Sequence, residues 1–423
     1  MDLTKANAWF SACPAEGENV AAAFSALGCA EMPVQYVAVA GTAGKTAVAS
    51  MEAAILEAAG LPCGLYLTGN EPLRERIRIA GEPAPAKAFT AAAQKLAACS
   101  EVFPRAAAEL AAACFCFSAA KCAFAVVELE DALLAEHLPA LPACAVTQIG
   151  EDGSGHSLER IACMASAVMR KGTAAVTTPA QPKAALTEII VAAGKADCAL
   201  TVPDGEDLTQ HKARRLENHF DYGGYELVLP TVGRPAAESA AVAVELALAL
   251  WRKGYEISDE AILKGLAAVQ AESGAHLLRR RPYVLADPCH KPMQAAALAQ
   301  LLCAAEFDHV SVIAGLSGCE KPDAFFAALE NGFIPEAEKT EKNQLPGMSD
   351  NAIDHVYLVT PEGPDAVKAE DAAAAARFHF DTTVCADLEE AVEKARADGN
   401  EGILILGGKA VCRAAKKHFP PRG

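Results

Sequence analysis

Residues 36–47 read YVAVAGTAGKTA: an apolar run, two glycines three positions apart, then a lysine and a threonine. Glycines let a chain turn back on itself, so that several N–H groups point into one concavity, and a helix start adds its positive end. Lys45 would supply a cation and Thr46 a hydroxyl that can meet a magnesium ion. Gly41, Thr42, Ala43, Gly44, Lys45 and Thr46 therefore form a candidate nucleotide-phosphate loop. The loop is shorter than G-x-x-x-x-G-K-[ST], because Val39 stands five positions before Gly44. A plain strand-to-helix turn with an incidental lysine is the alternative. The strand-like run before it and the helix-like run after it favour phosphate binding.

Such a loop needs a sheet behind it. Apolar runs of strand length recur at 36–41, 63–69, 123–130, 144–150 and 172–179, alternating with alanine-rich helical stretches. That alternation predicts a largely parallel sheet with helices on both faces. A second series, YVLADPCH, HVSVIAGLSG, HVYLVTPEG and GILILGG, follows the basic run LLRRRP at 277–282. A second α/β domain is expected from it, with the boundary at Arg281 and Arg279, Arg280 and Arg281 in an exposed hinge. The polar segment 335–352 reads as a surface loop.

Composition narrows the function classes. The 423 residues suggest two domains or one large one. A net charge of −17, from 54 acidic and 37 basic side chains, excludes a broad basic footprint for nucleic acid but not a local phosphate pocket. Fifteen cysteines without a C-x-x-C pair read as structural, reduced thiols, with no zinc pattern. The start MDLTKANAWFSAC is not a secretory signal, and 106–127 contains Glu109 and Lys121, which suits a buried helix running into a strand rather than a membrane span. A cytoplasmic protein with no membrane partner is expected.

The segment GTAGKTAVASMEAAILEAAGLPCGLYLTGNEPLRERIRIAGEP resembles the start of folylpolyglutamate synthase/dihydrofolate synthase, within the Mur ligase family. That family carries a G-T-N-G-K loop, a helix, G-L-Y-T-S-P-H-L and an E-R-I-R-I-N-G-E run. Gly64, Leu65, Tyr66 and the run from Glu75 to Ile79 reproduce the order at similar spacing. AVVELE is similar to the family strand that ends in a metal-binding glutamate, here Glu128. LPTVGRPAAESAAVAVELAL is similar to the family's G-R-H-Q-x-x-N-A-A-x-A, and LADPCHKPMQAAALA to its D-G-A-H-N-P segment. The resemblance covers nearly all of the chain and is looser after residue 320.

The resemblance implies a Mur-ligase-like P-loop ATPase domain over 1–281 and a smaller Rossmann-like C-terminal domain over 282–423, with nucleotide in the cleft. It implies ATP and Mg2+ as cofactors, a pteroate or folate carboxylate and L-glutamate as small-molecule substrates, and amide ligation through an acyl phosphate. Lys45 would hold phosphates, Thr46 and Glu128 would lie near the metal, and Asp287 and His290 match the family's D-x-x-H positions. Ser239 falls on the asparagine of the H-Q…N set. No nucleic acid is implied, and a monomer is expected.

Several family positions are changed. The carbamylated lysine falls on Ala165 and its preceding glutamate on Met164; alanine has no amine to carbamylate. The second-metal histidine falls on Gly153, with His156 and Asp152 nearby as stand-ins. The loop asparagine is Ala43, the H-Q pair falls on Pro235 and Ala236, an arginine falls on Ala275, and the serine of T-S-P-H on Gly69. Bland roles stay open beside the functional ones: a solvated strand end for Glu128, a helix cap for Asp287, a loop histidine for His290. Three functions therefore stand: the folate-type ligase, a degenerate homologue that binds nucleotide or a partner without ligating, and a Mur-family ligase for another amino acid or peptide.

Overall fold

The computed structural model describes residues 1–423 except 70, 153, 211–217, 231–233, 270–274, 306, 332–351, 364 and 420–423. The chain divides into two compact units, one formed by most of residues 1–271 and the other built mainly on 272–423.

The first unit is built on an eight-stranded sheet. Its strands are β1 (Gln35–Ala40), β2 (Cys63–Tyr66), β3 (Ile77–Ile79), β4 (Glu82–Pro83), β5 (Phe124–Glu128), β6 (Ala143–Val146), β7 (Ala174–Thr177) and β8 (Ala199–Thr201). They lie in the order β4-β3-β2-β5-β1-β6-β7-β8. The six from β2 to β8 run parallel, and β3 and β4 add an antiparallel edge. Central strands of such sheets are apolar on both faces, and β1 shows why. Its Tyr36, Ala38 and Ala40 enter one core while Val37 and Val39 enter the other, as a period of two dictates. Helices 45–58 and 234–252 cover the face that buries Val37 and Val39. Helices 86–97 and 105–119 cover the other face.

The connections fix where a ligand would go. The chain leaves β1 for β2 on one side, with β5 between them, and leaves β5 for β6 on the opposite side of β1. A doubly wound sheet opens a crevice where the strand order reverses, outside the carboxyl ends of the strands. Here that point lies at the ends of β1, β5 and β6. A small three-stranded sheet, β9 (Leu208–Gln210), β10 (Asn218–Tyr222) and β11 (Tyr225–Leu229), lies in the order β11-β10-β9, with β9 and β10 antiparallel.

The second unit carries β12 (His276–Arg280), β13 (Tyr283–Asp287), β14 (Val310–Ala314), β15 (Ile353–Leu358), β16 (Thr382–Val384) and β17 (Gly402–Leu406) in the order β12-β13-β17-β14-β15-β16. All pairs are parallel except β12 with β13. Arg279 and Arg280 therefore sit in an edge strand of this unit rather than in a hinge. Most of the segment 335–352 lies outside the described residues. The expected α/β class, with a parallel-rich sheet in each of two parts, is borne out. Among the described residues no helix is long and apolar enough to cross a membrane.

Candidate phosphate-loop and metal site

β1 is wholly buried from Tyr36 to Ala40 and releases the chain directly into the 41–44 turn. Gly41 has φ +135, and a Cβ there would lie 2.4 Å from Thr147 Oγ1 and 2.9 Å from its carbonyl oxygen. Only glycine fits against β6's exit. Gly44 has φ +85 and stands as the N-cap of helix Lys45–Ala58, with no side-chain cap. The first-turn amides of that helix have no intrahelical acceptor, so its positive end is open to an anion.

The turn is tied down from one side. The Thr42 and Ala43 amides both donate to the Gln148 carbonyl, at 3.1 and 3.0 Å, and Thr42 Oγ1 donates to Gly150 O at 3.2 Å. That leaves the amides at Gly44, Lys45 and Thr46 as the loop's candidates for meeting a phosphate. Ser239 belongs here too: a Cβ at Gly44 would come 3.5 Å from its Oγ. Its hydroxyl donates to Pro235 O within its own helix.

Lys45 is nearly buried. Its Nζ donates to Gly41 O at 3.0 Å and pairs with Glu130 Oε2 at 3.3 Å. Thr46 Oγ1 lies 3.2 and 3.0 Å from the two Glu128 carboxylate oxygens. Thr68 Oγ1 donates toward Glu128 Oε1 at 2.8 Å and faces Glu130 Oε1 at 2.9 Å. Burial pushes the Glu128 carboxyl above the ordinary glutamate range, while the Thr68 hydroxyl, the Lys45 charge and the Thr46 hydroxyl pull the other way. Glu128 is thus a partnered, buried carboxylate and not a solvated strand end.

Thr68 and Glu130 are the residues that sequence reasoning missed. The family's T-S-P-H serine falls on Gly69, and the hydroxyl that meets Glu128 belongs to the threonine before it, Thr68. Its loop is fixed by Arg76, which donates from Nε to Glu71 O and from Nη1 to Leu67 O. Arg76 also pairs with Glu109 at 2.8 Å, and Tyr66 OH donates to the same carboxylate. Part of the ERIR run is therefore a buried anchor.

Hard oxygen donors around a buried carboxylate suit a single divalent cation such as Mg2+ beside the phosphate loop. Among the described residues, the positions where the family's second metal would fall show no ligand cluster. Ala165 packs in the core with Ile161 and Ala162, and Met164 is exposed. His156 is exposed, and Asp152 accepts from both Ser154 N and Ser154 Oγ through its Oδ1. Those bonds hold the Asp152 carboxyl below its usual range. Gly153 lies outside the described residues. Among the described residues no group of three His, Cys, Asp or Glu side chains could hold a metal.

In the second unit, Asp287 ends β13 and is buried. Burial pushes its carboxyl up to about 6, against the pull of the Cys289 amide, which donates to Oδ1 at 2.8 Å. It caps the turn that begins at Pro288 rather than the following helix, whose N-cap is Lys291. His290 is half-buried, with Nδ1 3.1 Å from Pro288 O and its amide donating to Gln294 Oε1. Both stand at the carboxyl end of a parallel strand, the edge where such sheets carry ligands. Ala275 is a core residue of this unit.

Strand, glycine turn, uncapped helix, buried lysine and a hydroxyl-bound carboxylate define an α/β protein with a candidate phosphate site. No protein-family model matches the chain. It is 27% identical over 402 residues to the probable bifunctional folylpolyglutamate synthase/dihydropteroate synthase of Halobacterium salinarum, covering 88% of this chain and 45% of that protein. The chain thus spans about half the length of the curated relatives it matches. Its fold is that of folylpolyglutamate synthase. The Mycobacterium tuberculosis enzyme complexed with ADP superposes with a TM-score of 0.76 at 23% identity, over 99% of this chain and 98% of that one. The bifunctional folylpolyglutamate synthase/dihydrofolate synthase of Yersinia pestis complexed with AMPPNP and Mn superposes with a TM-score of 0.75 at 21% identity, over 99% and 98%.

Proposed function

We propose that the chain is an ATP-dependent amide ligase of the folylpolyglutamate/dihydrofolate synthase type, adding L-glutamate to a pteroate or folate carboxylate. The observation that carries this reading is the joining of the phosphate turn to Glu128 through Thr46, 3.0 Å from a carboxylate oxygen. Bound Mg-ATP would supply the phosphoryl group that turns a substrate carboxylate into an acyl phosphate, which an amino group then attacks with release of phosphate. Lys45 and the amides at Gly44, Lys45 and Thr46 would hold phosphate oxygens. Thr46, Thr68 and Glu128 would hold the cation, with Ser239 beside the turn. Positioning and charge neutralisation are most of what phosphoryl transfer asks of a protein. Asp287 and His290 are read as ligand-facing residues of the second unit, whose role would be that of the family's C-terminal domain. The expected protein is a cytoplasmic monomer, and its acidic charge argues against nucleic acid.

A non-ligating, nucleotide-binding homologue is the second reading. It is favoured by the burial of Ala165 in a core, where the family's carbamylated lysine would stand, and by the lack of a second metal-ligand cluster among the described residues. ADP release separates the two. Purified protein with Mg-ATP, L-glutamate and either dihydropteroate or a reduced folate should release ADP in a folate- and glutamate-dependent way. Lys45→Ala should lower the rate at least about a hundredfold, as loss of a preorganised charge stabiliser does. Nucleotide binding that needs Lys45, with no turnover on either substrate, would overturn the ligase reading and leave the second.

A further inference from the structure

Lys45 has a charged partner that the phosphate-loop chemistry does not require. Glu130 leaves β5 two residues after Glu128, with its side chain about two-thirds exposed, and reaches back to the nearly buried ammonium at 3.3 Å. Its other oxygen faces Thr68 Oγ1, which also serves Glu128. A hydroxyl has one proton to donate, so Thr68 cannot satisfy both carboxylates at once. Two carboxylates and one ammonium leave the turn with one excess negative charge, which opposes a metal-free phosphate and welcomes a divalent cation.

We propose that Glu130 is a specificity-determining residue that makes loading of the phosphate loop conditional on the metal. Its carboxylate competes with nucleotide phosphates for Lys45, so free nucleotide must displace it against repulsion. A metal-complexed nucleotide brings the charge that offsets both glutamates. The inference rests on the nucleotide-binding reading of the loop but not on ligase turnover.

The test compares wild type with Glu130→Gln, which keeps the shape and removes the charge at an exposed position. Binding of ADP is measured by calorimetry with excess EDTA and again with Mg2+. Glu130→Gln is expected to tighten metal-free ADP about two- to fivefold, the scale of one partly exposed ion pair. It should leave Mg-ADP within about twofold, and the gain should shrink at high salt. Weaker Mg-ADP binding with metal-free binding unchanged would overturn the proposal and make Glu130 a metal ligand. No change in either affinity would overturn it as well. If neither protein binds ADP, the nucleotide reading fails and the specificity role falls with it. The ion pair itself is then read by acetylation of Lys45 with acetic anhydride, followed by mass spectrometry. Faster modification in Glu130→Gln shows that Glu130 restrains the lysine; equal rates remove that claim also.

Discussion

Glu128 sits in a strand end with almost no exposure, and two threonine hydroxyls answer it. Removing one donor leaves part of a buried carboxylate unsatisfied, which costs about 1–3 kcal/mol. Thr68→Val should therefore lower unfolding free energy by about that amount at pH 7. The effect should fade as the pH falls and Glu128 gains a proton. Urea titrations at pH 5 and 7 read this directly; an equal effect at both would mean that Thr68 acts by packing alone. Thr46 and Glu128 were legible in the sequence because the glycine turn and the strand end are rigid landmarks. Thr68 was not, because a threonine just after a strand reads as an ordinary loop residue until the carboxylate 60 positions further on is placed beside it. Glu130 was passed over because an acid just after a strand is usually only solvated. Its meaning depends on Lys45, 85 residues away.

At the scale of elements, strands buried on both faces were the readable ones: β1, β5, β6 and β7 each carry an uninterrupted apolar run. The edges were not. β3 and β4 together hold only five residues, and β12 carries arginines that suit an edge strand as well as a hinge. Helix Lys45–Ala58 hides a different surprise. Glu52 is completely buried in it, neither carboxylate oxygen has a partner, and burial pushes its carboxyl up to about 8. A carboxyl raised in the folded state binds its proton more tightly there than in the unfolded chain. Its stability contribution is thus fullest below its unfolded value of 4.5 and falls as the pH rises toward 8. Glu52→Leu removes that slope. The variant should gain about 2–4 kcal/mol over wild type at pH 7.5 and much less at pH 5, from a shift worth 1.36 kcal/mol per pH unit. Denaturant midpoints at four pH values between 5 and 8 suffice, and parallel profiles would show that Glu52 finds a partner or water in solution.

Across the whole molecule, the two units share one chemical habit. Cysteine is used as a small apolar residue throughout. Cys114, Cys116 and Cys144 pack among alanines and valines in the first unit, and Cys289, Cys319 and Cys412 are buried in the second. All fifteen stand as thiols rather than disulfides; Cys163 is the exposed one, with Cys99, Cys198 and Cys303 half-buried. Burial raises the thiol pKa at Cys63, Cys116 and Cys122, up to about 12 and 11 at the last two, so these groups stay protonated and unreactive at neutral pH. The scattering of cysteines without a ligand spacing already pointed to reduced, structural thiols; which one faces water depends on the turn of helix Leu158–Ala165, and no count of residues shows it. Titration of the native protein with an aromatic disulfide reagent at pH 7.5 should therefore modify Cys163 fast and the three half-buried thiols slowly. The remaining eleven should react only after denaturant is added. Each unit contributes to the slow class, so the two can be followed separately by mapping the modified peptides as denaturant rises. Exposure of Cys289 and Cys412 at a lower concentration than Cys114 and Cys144 would mean that the units unfold independently. Simultaneous exposure would mean that they unfold as one.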